Sequence, residues 1–252
     1  MHDPLDFTGK VVLVTGGTKG VGRGVVTAFV AAGATVATCA RNQPDEPLTG
    51  VDMIAADIRD PDECRRVVTA VAERHGRLDV LVNNAGGSPA ADSASASPRF
   101  SESIIRLNLL APLWLSQAAH GFMTSNEEGG AIVNVASMSG LRPSPNTVAY
   151  GAAKAGLLNL TQTLALEWAP KIRVNAVSPG YVLTEQAPLF YGDEESVTRV
   201  AAIVPLGRLA EPSDVAGACL FAASPLCPYM SGANIVVHGG GEAPGYLAAR
   251  SS

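Results

Sequence analysis

No stretch of this 252-residue sequence is long and apolar enough to cross a bilayer. The longest mainly apolar run, Val25 to Ala40, contains Thr27, Gly33, Thr35 and Thr38. It also falls short of the roughly 20 apolar residues that a span requires. The opening Met1-His2-Asp3-Pro4 has neither a basic region nor an apolar core, so no secretory signal is expected. Cysteine is scarce and scattered. Cys39, Cys64, Cys219 and Cys227 form no CxxC pair, and His2, His75, His120 and His238 do not join them in a metal-ligand spacing. No metal centre is expected, and free thiols point to a reducing cytoplasm. Charged residues make up only 16% of the chain, with 18 basic against 23 acidic, a net charge of −5. A protein that binds nucleic acid by neutralising phosphates needs the opposite balance.

What the sequence has is apolar residues: 47% of the total, with a mean hydropathy of +0.19. Strands buried on both faces of a parallel sheet produce that value without a membrane. Short β-rich runs are expected at Val11–Thr15, Thr35–Ala40, Val51–Ala56, Leu78–Val82, Ala131–Ala136, Lys171–Val177 and Asn234–His238. Between them lie helical patterns at Val21–Ala32, 60–75, Ser101–Met123, Val148–Trp168 and Pro212–Ala223. Gly33 is placed to close the first helix and Asp60-Pro61 to open the second. The repeating strand–helix order predicts one α/β domain over 1–252, a doubly wound Rossmann fold with a mostly parallel seven-stranded sheet. Gly87–Pro98 reads as a surface loop, and Tyr181–Leu209 as irregular.

After the first strand comes Thr15-Gly16-Gly17-Thr18-Lys19-Gly20-Val21-Gly22. A strand, a glycine turn and a helix N-terminus together make an anion site, because backbone N–H groups and the helix dipole face the phosphates. An acid about 20 positions on would accept the ribose 2′-OH of NAD. Ala40 stands there instead, followed by Arg41, and Lys19 adds a second cation within the loop. Two cations without an acceptor favour the 2′-phosphate of NADP over NAD. Asp45 and Glu46 lie a few residues on and leave NAD open if they fold back.

Tyr150 and Lys154 are four apart in the Val148–Trp168 helix and share one face. A free phenol titrates near 10. A cation at roughly 4 Å contributes up to about 4 kcal/mol at an effective dielectric near 20, or about three pKa units, which would bring the phenol toward neutrality. Ser137 closes the fifth strand, at the edge where α/β sheets bind ligands, and its hydroxyl can donate beside that phenol. Asn108 is polar in an apolar helix. It either satisfies a backbone group where the helix bends or holds a water leading from Lys154 to solvent.

These ordered motifs resemble the short-chain dehydrogenase/reductase family, in its compact single-domain branch, from about Phe7 to about Gly241. Thr15–Gly22 is similar to the TGxxxGxG coenzyme loop, including Gly16, Thr18, Lys19, Gly20, Val21 and Gly22. The resemblance implies that Asp57 and Ile58 meet the adenine, and that Asn83-Asn84-Ala85-Gly86 lines the coenzyme site. It also implies that Pro179, Gly180, Val182 and Thr184 hold the nicotinamide carboxamide. Asn108, Ser137, Tyr150 and Lys154 match the catalytic tetrad. The implied role of Lys154 is to lower the Tyr150 pKa and bind the nicotinamide ribose. Two departures stand out: Val237-His238-Gly239-Gly240, where Asp often precedes the glycines, and the long tail 242–252.

The expected activity is hydride transfer between NADP(H), or NAD(H), and a carbonyl or secondary alcohol. Residues 185–206, with Leu189, Phe190 and Tyr191, read as a lid. With Met138 and Tyr181 they suit a largely apolar small molecule, unless they only pack the lid onto the body. Arg99, Arg142 and Arg208 read first as solvated charges. The rivals are a non-catalytic dinucleotide sensor or scaffold, which has no use for Tyr150 and Lys154, and an epimerase or dehydratase, whose added substrate domain has no room here. The apolar Ser101–Met123 and Val148–Trp168 helices suggest a homotetramer, or a homodimer, through family-like pairing.

Overall fold

The computed structural model describes residues 3–44 and 46–242. Seven parallel strands run in the order β3-β2-β1-β4-β5-β6-β7: β1 Val11–Thr15, β2 Thr35–Ala40, β3 Val51–Ala55, β4 Val80–Asn83, β5 Gly130–Val135, β6 Ile172–Pro179 and β7 Asn234–Val237. The order reverses between β1 and β4, so the crevice beyond their carboxyl ends is the natural ligand site. The Rossmann-like expectation is met.

Helices cover both faces because the strands are apolar on both. Val11 and Leu13 of β1 join one core with α2 (Pro61–His75) and α4 (Ala111–Ser125). Val12 and Val14 join the other, with α1 (Gly20–Ala31) and α8 (Pro212–Ala223). This is the two-residue alternation of a strand sandwiched between helix layers. Cys39, Cys64 and Cys219 are buried among these apolar groups, and desolvation pushes each thiol up to about 12.

Three segments differ from the expectation. The helix expected at Ser101–Met123 begins earlier, at α3 (Pro98–Ile105), because Ser97 caps it by accepting from the Phe100 N–H at 3.2 Å. It then passes through a π-helical turn, Arg106–Leu110, before α4. The cause is local. The Asn108 amide donates to the Ile104 carbonyl at 2.9 Å, and Pro112 has no N–H to return to Asn108, so the α-ladder cannot run straight through. The stretch expected to be irregular holds two short helices, α6 Ala187–Tyr191 and α7 Glu194–Ala202. Asp193 caps α7 from the Ser196 N–H, a signal present in Asp193-Glu194-Glu195.

No helix among the described residues is long and apolar enough to cross a membrane. Nor do any three His, Cys, Asp or Glu side chains among them gather as a metal site.

Candidate active site

The glycine loop and the β4 turn are tied into one floor. Thr15 Oγ accepts from the Asn84 and Ala85 N–H groups, both at 3.0 Å. The Asn84 amide donates back to the Thr15 and Gly16 carbonyls at 2.9 and 3.3 Å. A Cβ on Gly22 would collide with the Gly16 carbonyl and the Asn84 amide. Only glycine lets α1 start this close to the loop, and the result is a ledge of bare backbone at a helix N-terminus. Thr15 entered the sequence reading only as the head of the loop motif, without this role of its hydroxyl. Its signal is a hydroxyl ending an otherwise apolar strand.

Around this floor stand the expected coenzyme residues. Lys19 is the extended N-cap of α1 and is exposed, as is Arg41 at the end of β2. Asp57, beyond β3, is bonded by the Arg59 guanidinium at 2.9 Å, which holds its carboxyl below the usual range, with Arg41 adding a smaller push. Glu46 pairs with Arg23 of α1 at 3.0 Å, and Asp45 lies outside the described residues. Ile58 turns its side chain into the core, so only its backbone is available to a ligand. Thr18, Val21, Ala85 and Gly86 line the loop and turn. Pro179 ends β6, and Gly180 donates to the Val237 carbonyl at 2.9 Å. Val182 bridges Ala210, and the Thr184 methyl reaches the Gly20 corner of the loop.

The expected tetrad converges at the carboxyl edge of the sheet. Ser137 follows β5, while Tyr150 and Lys154 project from α5 (Val148–Glu167). α5 is registered on the sheet by a buried polar chain. The Asn83 amide donates to Asn134 Oδ1, and the Asn134 amide to Thr161 Oγ1, both at 2.9 Å. The Tyr150 hydroxyl lies beside the Ser137 side chain, which opposes the effect of burial on the phenol. Lys154 is 3% exposed, and its ammonium donates to the Val135 carbonyl at 2.7 Å. The Asn108 side chain is spent on backbone, accepting from the Gly87 N–H at 2.9 Å and donating to the Gly87 and Ile104 carbonyls. Its backbone-satisfying reading is therefore realised at the bend.

One electrostatic expectation is corrected. Lys154 was expected to draw the phenol toward neutrality. Its ammonium lies over the Tyr150 ring, 5.7 Å from the ring centre. Burial raises the phenol above its usual value, opposed only by the Ser137 hydrogen bond. Burial also pulls Lys154 down to about 7.

On the outer side, Tyr181 and Tyr191 meet edge to face, their ring centres 5.7 Å apart. The Tyr191 hydroxyl accepts from the Val182 N–H. Leu189 and Phe190 are exposed, so of the three aromatic and aliphatic side chains expected here only Tyr191 packs on the body. Two arginines read as solvated have partners. Arg142 pairs with Glu242 and donates to the Tyr181 hydroxyl, and Arg208 grips Asp214 with both arms. Arg99 is exposed.

Comparison with known proteins agrees with this arrangement. The family profile described as Enoyl-(Acyl carrier protein) reductase matches residues 16–242. A 2-dehydro-3-deoxy-D-gluconate 5-dehydrogenase from Escherichia coli is 32% identical, over 94% of this chain and 96% of its own. A 3-oxoacyl-[acyl-carrier-protein] reductase from Thermotoga maritima is 35% identical, over 94% and 99%. The structure of an aldohexose dehydrogenase from Thermoplasma acidophilum superposes with a TM-score of 0.88 at 31% identity, over 93% and 94%. A glycine ledge at the β1–β4 switch point, a Ser–Tyr–Lys–Asn cluster beside it and these full-length likenesses lead to one conclusion: the chain belongs to the short-chain dehydrogenase/reductase family, the nicotinamide-dinucleotide-dependent oxidoreductases that act on CH–OH groups.

Proposed function

We propose that this protein is an NADP(H)-dependent reductase of a small, largely apolar ketone, of 3-oxoacyl or related type. The observation that carries the reading is the buried Lys154, which donates to the Val135 carbonyl at the β5 end and lies over the Tyr150 ring, on the same sheet edge as the glycine ledge.

The bare backbone of that ledge fits a dinucleotide. The Gly16–Gly22 loop would hold the pyrophosphate, and Asp57 with the Ile58 backbone the adenine. Lys19 and Arg41, both exposed, would hold a 2′-phosphate, and the pairing of Glu46 with Arg23 supports that choice by occupying that carboxylate. The Asn84–Gly86 turn, Lys154 and Pro179–Thr184 would hold the nicotinamide end. When bound, the coenzyme supplies or takes the hydride.

The chain's own residues handle the oxygen and its proton. Ser137 and Tyr150 orient the substrate oxygen, and alignment supplies much of the rate. Burial pushes the Tyr150 phenol up from its usual value, which favours its giving a proton to a developing alkoxide, as the reductive direction requires. Lys154, near 7, can pass a proton on to Tyr150. The Asn108 side chain is spent on Gly87 and Ile104, so a relay water beyond Lys154 falls to the Asn108 carbonyl, the group that Pro112 leaves without its α-helical donor. Met138, Tyr181 and Tyr191 give the substrate apolar walls, with 185–206 as the lid. The Thermotoga relative's name supports a 3-oxoacyl-type ketone. We further infer a cytoplasmic homotetramer, supported by an apolar α5 face that leaves Leu166 83% exposed.

The test is a nicotinamide-fluorescence titration with NADPH and NADH, on the wild type and on Lys19→Ala and Arg41→Ala. Tighter NADPH binding, lost about tenfold or more in either variant, supports the reading. Tighter NADH binding sinks the coenzyme choice and favours an alcohol dehydrogenase running oxidatively.

A further inference from the structure

The first turn of α1 is capped by a residue far along the chain. Lys19 gives the helix no side-chain cap, and no acid lies in its first turn. The carboxylate of Glu185 takes that place. Its two oxygens accept from the Gly20 N–H at 3.1 and 3.3 Å, across 165 residues of chain. The approach is built. Leu183 donates to the Ala210 carbonyl at 2.8 Å, and Ala187 to the Thr184 carbonyl at 2.9 Å. Thr184 lies against Gly20, where an added Cβ would meet its methyl at 3.4 Å. A carboxylate suits this position, because a helix N-terminus presents unpaired N–H groups and the positive end of the dipole.

The same N–H groups are the ones a pyrophosphate would use. One N–H serves a single strong acceptor, and two anions at one helix end repel. We propose that Glu185 is an internal competitor for the coenzyme pyrophosphate. Its carboxylate leaves the Gly20 N–H as the coenzyme seats, and that departure frees the first residue of the 185–206 lid. Coenzyme binding and lid movement are thereby coupled through one side chain. The proposal rests on the glycine ledge being the pyrophosphate site.

The experiment titrates NADPH, NADH and adenosine 2′-monophosphate into the wild type, Glu185→Gln and Glu185→Ala. Glu185 is exposed, so neither variant threatens folding. Glu185→Ala should bind both coenzymes about three- to tenfold more tightly, and Glu185→Gln, which loses only the charge, should follow by less. Adenosine 2′-monophosphate has no pyrophosphate, and its affinity should not move. Unchanged or weaker coenzyme binding in Glu185→Ala overturns the proposal. So does an equal gain for adenosine 2′-monophosphate, which would show a general charge effect. The ratio of NADPH to NADH affinity separately judges Lys19 and Arg41. A wild type that binds neither coenzyme would overturn the ledge reading and this proposal with it.

Discussion

The Lys154 ammonium donates to the Val135 carbonyl at 2.7 Å and lies 5.7 Å from the centre of the Tyr150 ring. The lysine is therefore anchored to the last residue of β5, next but one to Ser137, and not to the phenol. Its chemistry follows from burial. A cation taken out of water without a counter-ion releases its proton more easily, and Lys154 is pulled down to about 7.

That burial should be visible in stability. An exposed lysine titrates near 10.4. Between about 7 and 10 the unfolded chain binds the proton more tightly than the folded one, so stability rises with pH across that window. Below about 7 both states carry the proton, and the folded state bears the whole cost of the buried charge. Lys154→Met removes the charge but leaves the Val135 carbonyl without its donor, a loss of about 1–3 kcal/mol. A net gain of roughly 1–3 kcal/mol at pH 6.5, shrinking toward pH 9.5, is expected by denaturant melts. Parallel profiles for variant and wild type would contradict it.

Tyr150→Phe removes the proton donor and keeps the ring. Turnover should fall at least about a hundredfold, while NADPH affinity stays within about twofold, because the coenzyme would be held chiefly by the glycine ledge. Steady-state kinetics beside a fluorescence titration separates the two. Turnover near that of the wild type would remove Tyr150 from the acid–base role.

Gly86 lies where the tetrad is most crowded. A Cβ there would stand 2.6 Å from Asn108 Oδ1 and 3.3 Å from Lys154 Nζ. Asn108 is fully buried and Lys154 nearly so, so neither can swing away. Gly86→Ala should cost about 1–3 kcal/mol by overpacking, with a Tm lower by roughly 2–10 °C. It should also lower kcat by displacing Asn108. A variant as stable and as active as the wild type would mean that the π-helical turn yields freely.

The assembly is open to one direct measurement. Light scattering at micromolar concentration should return four times the 25.8 kDa chain mass. A monomer would sink the tetramer and leave Leu166 as an isolated exposed leucine.

Much of this molecule was legible in its residues. Strand–helix alternation, the β-rich runs and the glycine turn after Thr15 led to the doubly wound sheet, because local apolar periods decide which faces must be covered. Asn108, Ser137, Tyr150 and Lys154 were identifiable by type, order and spacing. The sequence also contained the Ser97-Pro98 start of α3 and the Asp193 cap of α7, both within stretches read as loop.

Tertiary structure alone decided the rest, because each remaining feature joins residues far apart in the chain. The spacing of Tyr150 and Lys154 places them on one helical face. Which atom the lysine reaches, and so which way each group titrates, depends on the depth of α5 against β5. The engagement of Glu46 by Arg23, the capping of α1 by Glu185 and the hold of Asn108 on Gly87 are likewise set by packing. A sequence states which side chains exist and at what period. Burial and cross-chain distance fix their partners and their charge, and these exist only once the sheet has brought its strand ends together.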